Sequence, residues 1–227
     1  MKPTSEQLLG SISTTGIIPV FNHKDIEVAK AVLDAAYNAG IRVFEFTNRE
    51  QNALQIFKAL KIYAEKYEDL YLGIGTIFTV QQVRQYLYAE ADFIVSPALI
   101  PEVAKYCQMK GVFWVPGCAT VTEVFQAKKL GTTLVKAFPG NLLGPDFIKA
   151  VLSVMPDVKM MPTGGVEPTK ENLGDWFDSG VTCVGMGSQL FRKDWLKENR
   201  YDLLEEKLTE TISIVKHIKN ETFQSPH

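Results

Sequence analysis

Cysteine is scarce in this chain. Among 227 residues there are three, Cys107, Cys118 and Cys183, far apart and without a C-x-x-C pair. An odd, dispersed set excludes a disulfide framework, argues against a structural zinc site and fits packed, reduced thiols in a cytoplasmic protein. Histidine is equally rare: His23, His217 and His227 form no metal-ligand pattern, so no metal is expected. No apolar run approaches the roughly 18 residues that cross a bilayer. The opening MKPTSEQLLGSISTTG lacks the apolar stretch of a signal peptide. Neither sign of charge dominates, with 24 basic and 26 acidic side chains. That balance excludes a broad nucleic-acid or membrane surface while leaving room for a small anion site.

What is present is a repeated joint. Ala-Gly-Ile (39–41), Lys-Gly-Val (110–112), Leu-Gly-Thr (130–132) and Ser-Gly-Val (179–181) each end an amphipathic stretch and open a β-rich one. Glycine suits the left-handed residue just past a helix, so each joint predicts a helix followed by a strand. Eight strands are expected: Ile17–Phe21, Arg42–Thr47, Tyr71–Ile77, Phe93–Ala98, Phe113–Pro116, Thr133–Phe138, Lys159–Pro162 and Thr182–Met186. Their starts lie about 20 to 29 residues apart, the length of a strand, a helix and two short loops. Helical patterns fill the intervals, among them Asp25–Tyr37, Pro145–Met155 and a helix opened by Pro101.

This alternation predicts an α/β fold, a single-domain (β/α)₈ TIM barrel, with a doubly wound open sheet as the alternative. A short N-terminal helix within 1–16 would cover the barrel floor, the strands and their helices would occupy 17–190, and a closing helix would span 201–220.

One strand breaks the pattern. In TTLVKAFPG (132–140), Lys136 sits inside an apolar run. A lysine there is a strand-end cation reaching solvent, one half of a buried ion pair, or a nucleophile. Desolvation favours the neutral amine, the form that attacks a ketone to make a Schiff base. Counting by two puts Leu134 and Phe138 on the face of Lys136, and Val43 and Thr47 on the face of Glu45. Glu45 can cap a helix or move protons beside the lysine; Arg49 can lie on the surface or bind an anion.

The other unusual residues also collect at carboxyl ends of strands, where barrels carry chemistry. They are Gly75-Thr76, Ser96-Pro97, Pro116-Gly117, Thr163-Gly164-Gly165 and Gly187-Ser188. Exposed backbone N–H groups after the last two strands suit a phosphate.

Taken in order, TTGIIPV, GIRVFEFTNR, GIGT, SPA, VPGCAT, VKAFPG, MPTGGV and GMGS resemble the class I aldolases of the 2-keto-3-deoxy-6-phosphogluconate (KDPG) and 4-hydroxy-2-oxoglutarate (KHG) family. The resemblance implies Lys136 as the Schiff-base lysine and Glu45 as general acid/base. It implies Arg49 and Thr76 on the pyruvate carboxylate, Phe138 against the pyruvyl group, and Pro97 and Thr163 beside the substrate. Gly164, Gly165, Gly187 and Ser188 match the phosphate end.

It also implies a cytoplasmic homotrimer without metal or cofactor, whose partner is a small keto-acid phosphosugar. Products would be pyruvate with glyceraldehyde 3-phosphate or glyoxylate. Asn48 and Ala98 depart from the family pattern at positions expected to border the site. A phosphosugar isomerase or epimerase would share the phosphate end but need paired acid/base groups and no imine lysine. A phosphosugar-binding barrel without catalysis is a third reading.

Overall fold

The computed structural model describes residues 2–224, so Met1 and His227 lie outside the described residues. Helix α1 (Ser5–Thr15) opens on a capping box: Thr4 accepts from the Gln7 N–H, and the Gln7 side chain accepts from the Thr4 N–H. It ends on Gly16 in the left-handed conformation. There follow β1 (Ile17–Phe21), α2 (Ile26–Asn38), β2 (Val43–Thr47), α3 (Ala53–Ala64), β3 (Tyr71–Gly75), α4 (Val80–Tyr88) and β4 (Phe93–Val95). Next come α5 (Pro101–Met109), β5 (Phe113–Val115), β6 (Gly117–Cys118), α6 (Val121–Lys129), β7 (Val135–Ala137), α7 (Gly140–Val154) and β8 (Met160–Pro162). The chain continues through α8 (Lys170–Asp178), β9 (Val184–Met186), α9 (Lys193–Lys197) and α10 (Tyr201–Gln224). All four joint glycines, Gly40, Gly111, Gly131 and Gly180, have positive φ, as the repeated motif requires.

The result is an α/β fold whose strands pair in parallel throughout. One curled sheet has the order β5-β4-β3-β2-β1-β9, and a second has β6-β7-β8. Among the described residues nine strands appear in place of the expected eight because the fifth is interrupted at Pro116. That residue has no N–H for a ladder bond. Its carbonyl accepts from the Lys136 N–H at 2.8 Å, so the chain steps there from one sheet to the other. Between β8 and β9, Thr163 bridges Gly185, and the Thr182 N–H donates to the Met160 carbonyl at 3.0 Å.

Several strands are shorter than their sequence patterns. At their carboxyl ends Thr76 (φ 63°) and Pro97 redirect the backbone. Helix α7 also differs: it begins at Gly140, breaks at Gly144 (φ 69°, ψ 172°) and resumes at Pro145. Proline is tolerated there because the first turn of a helix has no partner for its N–H. Helix α9 was not anticipated, and α10 extends past the expected 220 to Gln224.

The core has two layers. The larger packs the outer face of the strands against the helices, with Phe44, Phe46, Phe57 and Leu208 among its buried members. The smaller fills the inner face with Ile18, Val43, Phe93, Val95, Phe113, Val115, Leu134, Met161 and Cys183. Leu8 and Ile12 of α1 complete it and seal one end. The helix expected within 1–16 is thus present and packs against the inner face of the strands.

Leu8 is fully buried in that plug. Leu8→Ala should lower the unfolding free energy by about 2–5 kcal/mol, the usual cost of emptying a leucine site. Urea denaturation monitored by circular dichroism reads this directly.

Candidate active site

The polar residues grow out of the apolar inner layer by strict alternation. Two residues beyond Val43 on β2 stands Glu45; two beyond Leu134 on β7 stands Lys136; two beyond Met161 stands Thr163. The inner face that is dry near α1 therefore becomes charged at the opposite end of the strands. Lys136 is 4% exposed and Glu45 1%, and the Lys136 Nζ lies 3.7 Å from the Glu45 Oε1. That separation is an ion pair but too long for a strong hydrogen bond.

The pair is incompletely satisfied. Both Glu45 carboxylate oxygens and the hydroxyls of Thr47 and Thr163 are buried without a hydrogen-bond partner. Leaving such a group unpaired costs about 1–3 kcal/mol, so four of them together mark a place shaped for polar atoms of a ligand. Burial raises the Glu45 pKa above its ordinary value, opposed by the charges of Lys136 and Arg49. The Lys136 Nζ also lies 5.3 Å from the centre of the Phe138 ring, within cation–π range.

Glycine makes room for the carboxylate. A methyl group at Gly75 would occupy the position of Glu45 Oε1. The Gly-Ile-Gly-Thr motif of β3 is thus a steric counterpart of Glu45 on the neighbouring strand, where Thr47 pairs with Gly75. Gly185 does the same for Thr163, whose hydroxyl fills the space its side chain would take. Immediately after Gly75, Thr76 adopts φ 63°, a conformation that strains a non-glycine residue and is common at functional sites.

Above the pair opens a cavity of about 860 Å³. Its wall includes Arg49, Phe138, Thr163, Gly164, Gly165, Gly187 and Ser188, so seven of the residues expected from sequence converge on one space. Lys136 and Glu45 do not line it, but Phe138, whose ring centre is 5.3 Å from the Lys136 Nζ, does. Thr76 and Pro97 do not line this cavity. Pro97 instead approaches the backbone of β6 so closely that a side chain at Gly117 would strike its carbonyl. The neighbouring Ser96 hydroxyl accepts from the Trp114 indole N–H at 2.9 Å and serves packing.

Asn48 departs from its expected place. Its side-chain oxygen accepts from the Tyr86 hydroxyl on α4 at 2.7 Å, on the outer side of β2. Alternation explains this: Glu45 and Thr47 face inward, so Asn48 faces outward. Gly140 is also explained, since a side chain there would collide with the Gly164 carbonyl, and its N–H donates to the Thr163 carbonyl at 2.8 Å. Sequence reasoning missed the segment after β9: Gln189, Phe191, Lys193, Leu196, Lys197 and Asn199 all reach the cavity. A short extra helix after the last strand is a recurrent phosphate-site element of barrels and was the available signal.

The three cysteines are free and buried, and burial pushes each thiol up to about 12. Among the described residues no helix is long and apolar enough to cross a membrane.

Comparison with known proteins agrees with this geometry. The family model for KDPG and KHG aldolase matches residues 10–207. A 2-dehydro-3-deoxy-6-phosphogalactonate aldolase of Escherichia coli K12 is 36% identical over 163 residues, 71% of this chain and 76% of that protein. A KHG/KDPG aldolase of the same strain is 31% identical over 195 residues, 85% and 89% of the two chains. The crystal structure of KDPG aldolase from Legionella pneumophila, with pyruvate captured as a covalent carbinolamine, superposes with a TM-score of 0.81 at 28% identity. The match covers 89% of this chain and 97% of that one. With its family model spanning most of the sequence and its inner face ending in a buried lysine–glutamate pair, the chain belongs to the KDPG and KHG aldolase family.

Proposed function

We propose that this protein is a class I aldolase that cleaves KDPG to pyruvate and glyceraldehyde 3-phosphate, with KHG cleavage to pyruvate and glyoxylate as a related activity. The observation that carries the reading is the buried Lys136–Glu45 pair, with its unsatisfied carboxylate, beneath a cavity that includes Arg49.

The Lys136 amine attacks the C2 ketone, and loss of water from the carbinolamine gives an imine. Glu45 removes the proton of the C4 hydroxyl. The C3–C4 bond breaks, its electron pair moves toward the imine nitrogen, and the aldehyde leaves. Protonation of the resulting enamine at C3 and hydrolysis release pyruvate and restore the amine. Phe138 packs against the pyruvyl group, Arg49 and Thr76 hold its carboxylate, and Thr163 and Pro97 flank the substrate. Gly164, Gly165, Gly187 and Ser188 receive the phosphate.

The closed eight-strand barrel as a single domain belongs to the same reading. It is supported by the Pro116 link between the sheets and by the Thr163–Gly185 bridge. A homotrimer is supported by exposed apolar side chains following the carboxyl ends of strands, Phe78, Phe125 and Leu142. Buried, unpaired thiols support a cytoplasmic location.

Borohydride reduction in the presence of pyruvate should leave a three-carbon adduct on Lys136, located by peptide mass spectrometry. Lys136→Met should remove both the adduct and turnover in an assay coupling pyruvate to lactate dehydrogenase. An unmodified wild-type protein, or an active Lys136→Met variant, would sink the assignment.

Glu45 must be ionised to accept a proton, and its pKa is raised by burial. The rate should therefore fall as pH drops through a value above the ordinary carboxylate range, not below it. In Glu45→Gln, kcat should fall by about 10²–10⁴, and that acidic limb should disappear from the kcat/KM profile.

Gly75→Ala tests the steric partnership. Its methyl group displaces the Glu45 carboxylate, and misplacing a catalytic group by about 1 Å costs roughly 10²-fold in kcat. Steady-state kinetics on the folded variant, checked by circular dichroism, would show that loss.

A further inference from the structure

The segment after β9 carries charges in an uneven arrangement. Arg192 forms a two-pronged contact with Asp194, and Arg200 does the same with Asp202. Asp194 in α9 and Asp202 in the first turn of α10 are thereby engaged with arginines that do not line the cavity, and Glu198, which caps α9, does not line it either. Lys193 and Lys197, four residues apart and so on one face of α9, do line it. Among the described residues neither lysine forms an ion pair.

Among the described residues the remaining charged side chain along the cavity wall is Arg49, and no carboxylate lines it. The segment's position is set by burial: Leu190 and Phe191 are inside, and the Phe191 ring packs 4.7 Å from Phe21. Anchoring next to Ser188 keeps the two lysines on the wall of the same cavity that Gly164, Gly165 and Gly187 line.

We propose that Lys193 and Lys197 are specificity-determining residues that bind the distal phosphate of the substrate and select phosphorylated over unphosphorylated 2-keto-3-deoxy acids. The proposal rests on the aldolase reading above. A phosphate monoester carries a charge of about −1.5 to −2 at neutral pH, and two ammonium groups on the cavity wall, outside any ion pair among the described residues, match it. The dephosphorylated acid ends in a hydroxyl and gains little from them. Long flexible lysines suit this role, because they act as movable point charges while the glycine N–H groups fix geometry.

The test compares kcat/KM for KDPG and for its unphosphorylated analogue in wild type, Lys193→Ala, Lys197→Ala and the double variant. The phosphorylated-to-unphosphorylated ratio should fall about three- to fivefold for each lysine and about tenfold for both. The loss should appear in KM, and raising ionic strength should shrink the wild-type ratio toward that of the double variant. Lys170→Ala, at an exposed lysine that does not line the cavity, serves as a net-charge control.

An unchanged ratio in the double variant would overturn the proposal, as would an equal loss on both substrates or an equal effect of Lys170→Ala. If wild type cleaves neither acid and forms no pyruvate adduct, the aldolase reading fails as well. That outcome is distinct from an active wild type whose lysine variants keep its selectivity.

Discussion

Removing a lysine and a glutamate from water together is costly, and their mutual attraction offsets that cost only when geometry is good and the remaining polar valences are filled. Lys136 and Glu45 meet neither condition fully: they stand 3.7 Å apart, and the carboxylate has no hydrogen-bond partner. The surrounding architecture can be read as what holds this incomplete pair in place. Below it, Leu134, Met161, Val43 and the α1 residues Leu8 and Ile12 form a dry, sealed layer. Beside it, Gly75 provides the volume for the carboxylate. Above it, Phe138 covers the amine and leads to the cavity. Polar groups that the protein itself leaves unbonded are bonding capacity for a substrate, a common compromise between stability and function.

Much of this was legible in the sequence because β-strands obey a period of two. Counting from Lys136 and Glu45 placed Leu134 and Val43 on the faces where the structure has them. The glycines ending helices were equally readable, since positive φ is a local demand on a local residue. The N-terminal helix was expected from the residues that precede the first strand, and it is observed at Ser5–Thr15.

Features set by contacts between distant segments were not legible. Nothing local to Gly75 says that its missing side chain is filled by Glu45 from β2. Asn48 was expected at the site, yet it turns outward to a tyrosine 38 residues later. Pro116 split a strand because two sheets diverge there, a fact of tertiary assembly. The lysines of α9 look like an ordinary solvated face in KDWLK. Only the pairing of Arg192 with Asp194 and of Arg200 with Asp202 distinguishes them, and that required coordinates.

The plug formed by α1 has a further consequence for traffic. Because Leu8 and Ile12 close one end of the inner face, the buried Lys136, the imine lysine proposed above, has its way out at the opposite end of the strands. Whatever reaches it must arrive and depart by the same mouth. A six-carbon acid held by its keto end at the bottom presents its far half to that mouth. After cleavage the outer fragment blocks the inner one. In the proposed imine mechanism topology and chemistry agree on the order of release: the aldehyde leaves first, and pyruvate, still joined covalently to Lys136, leaves last.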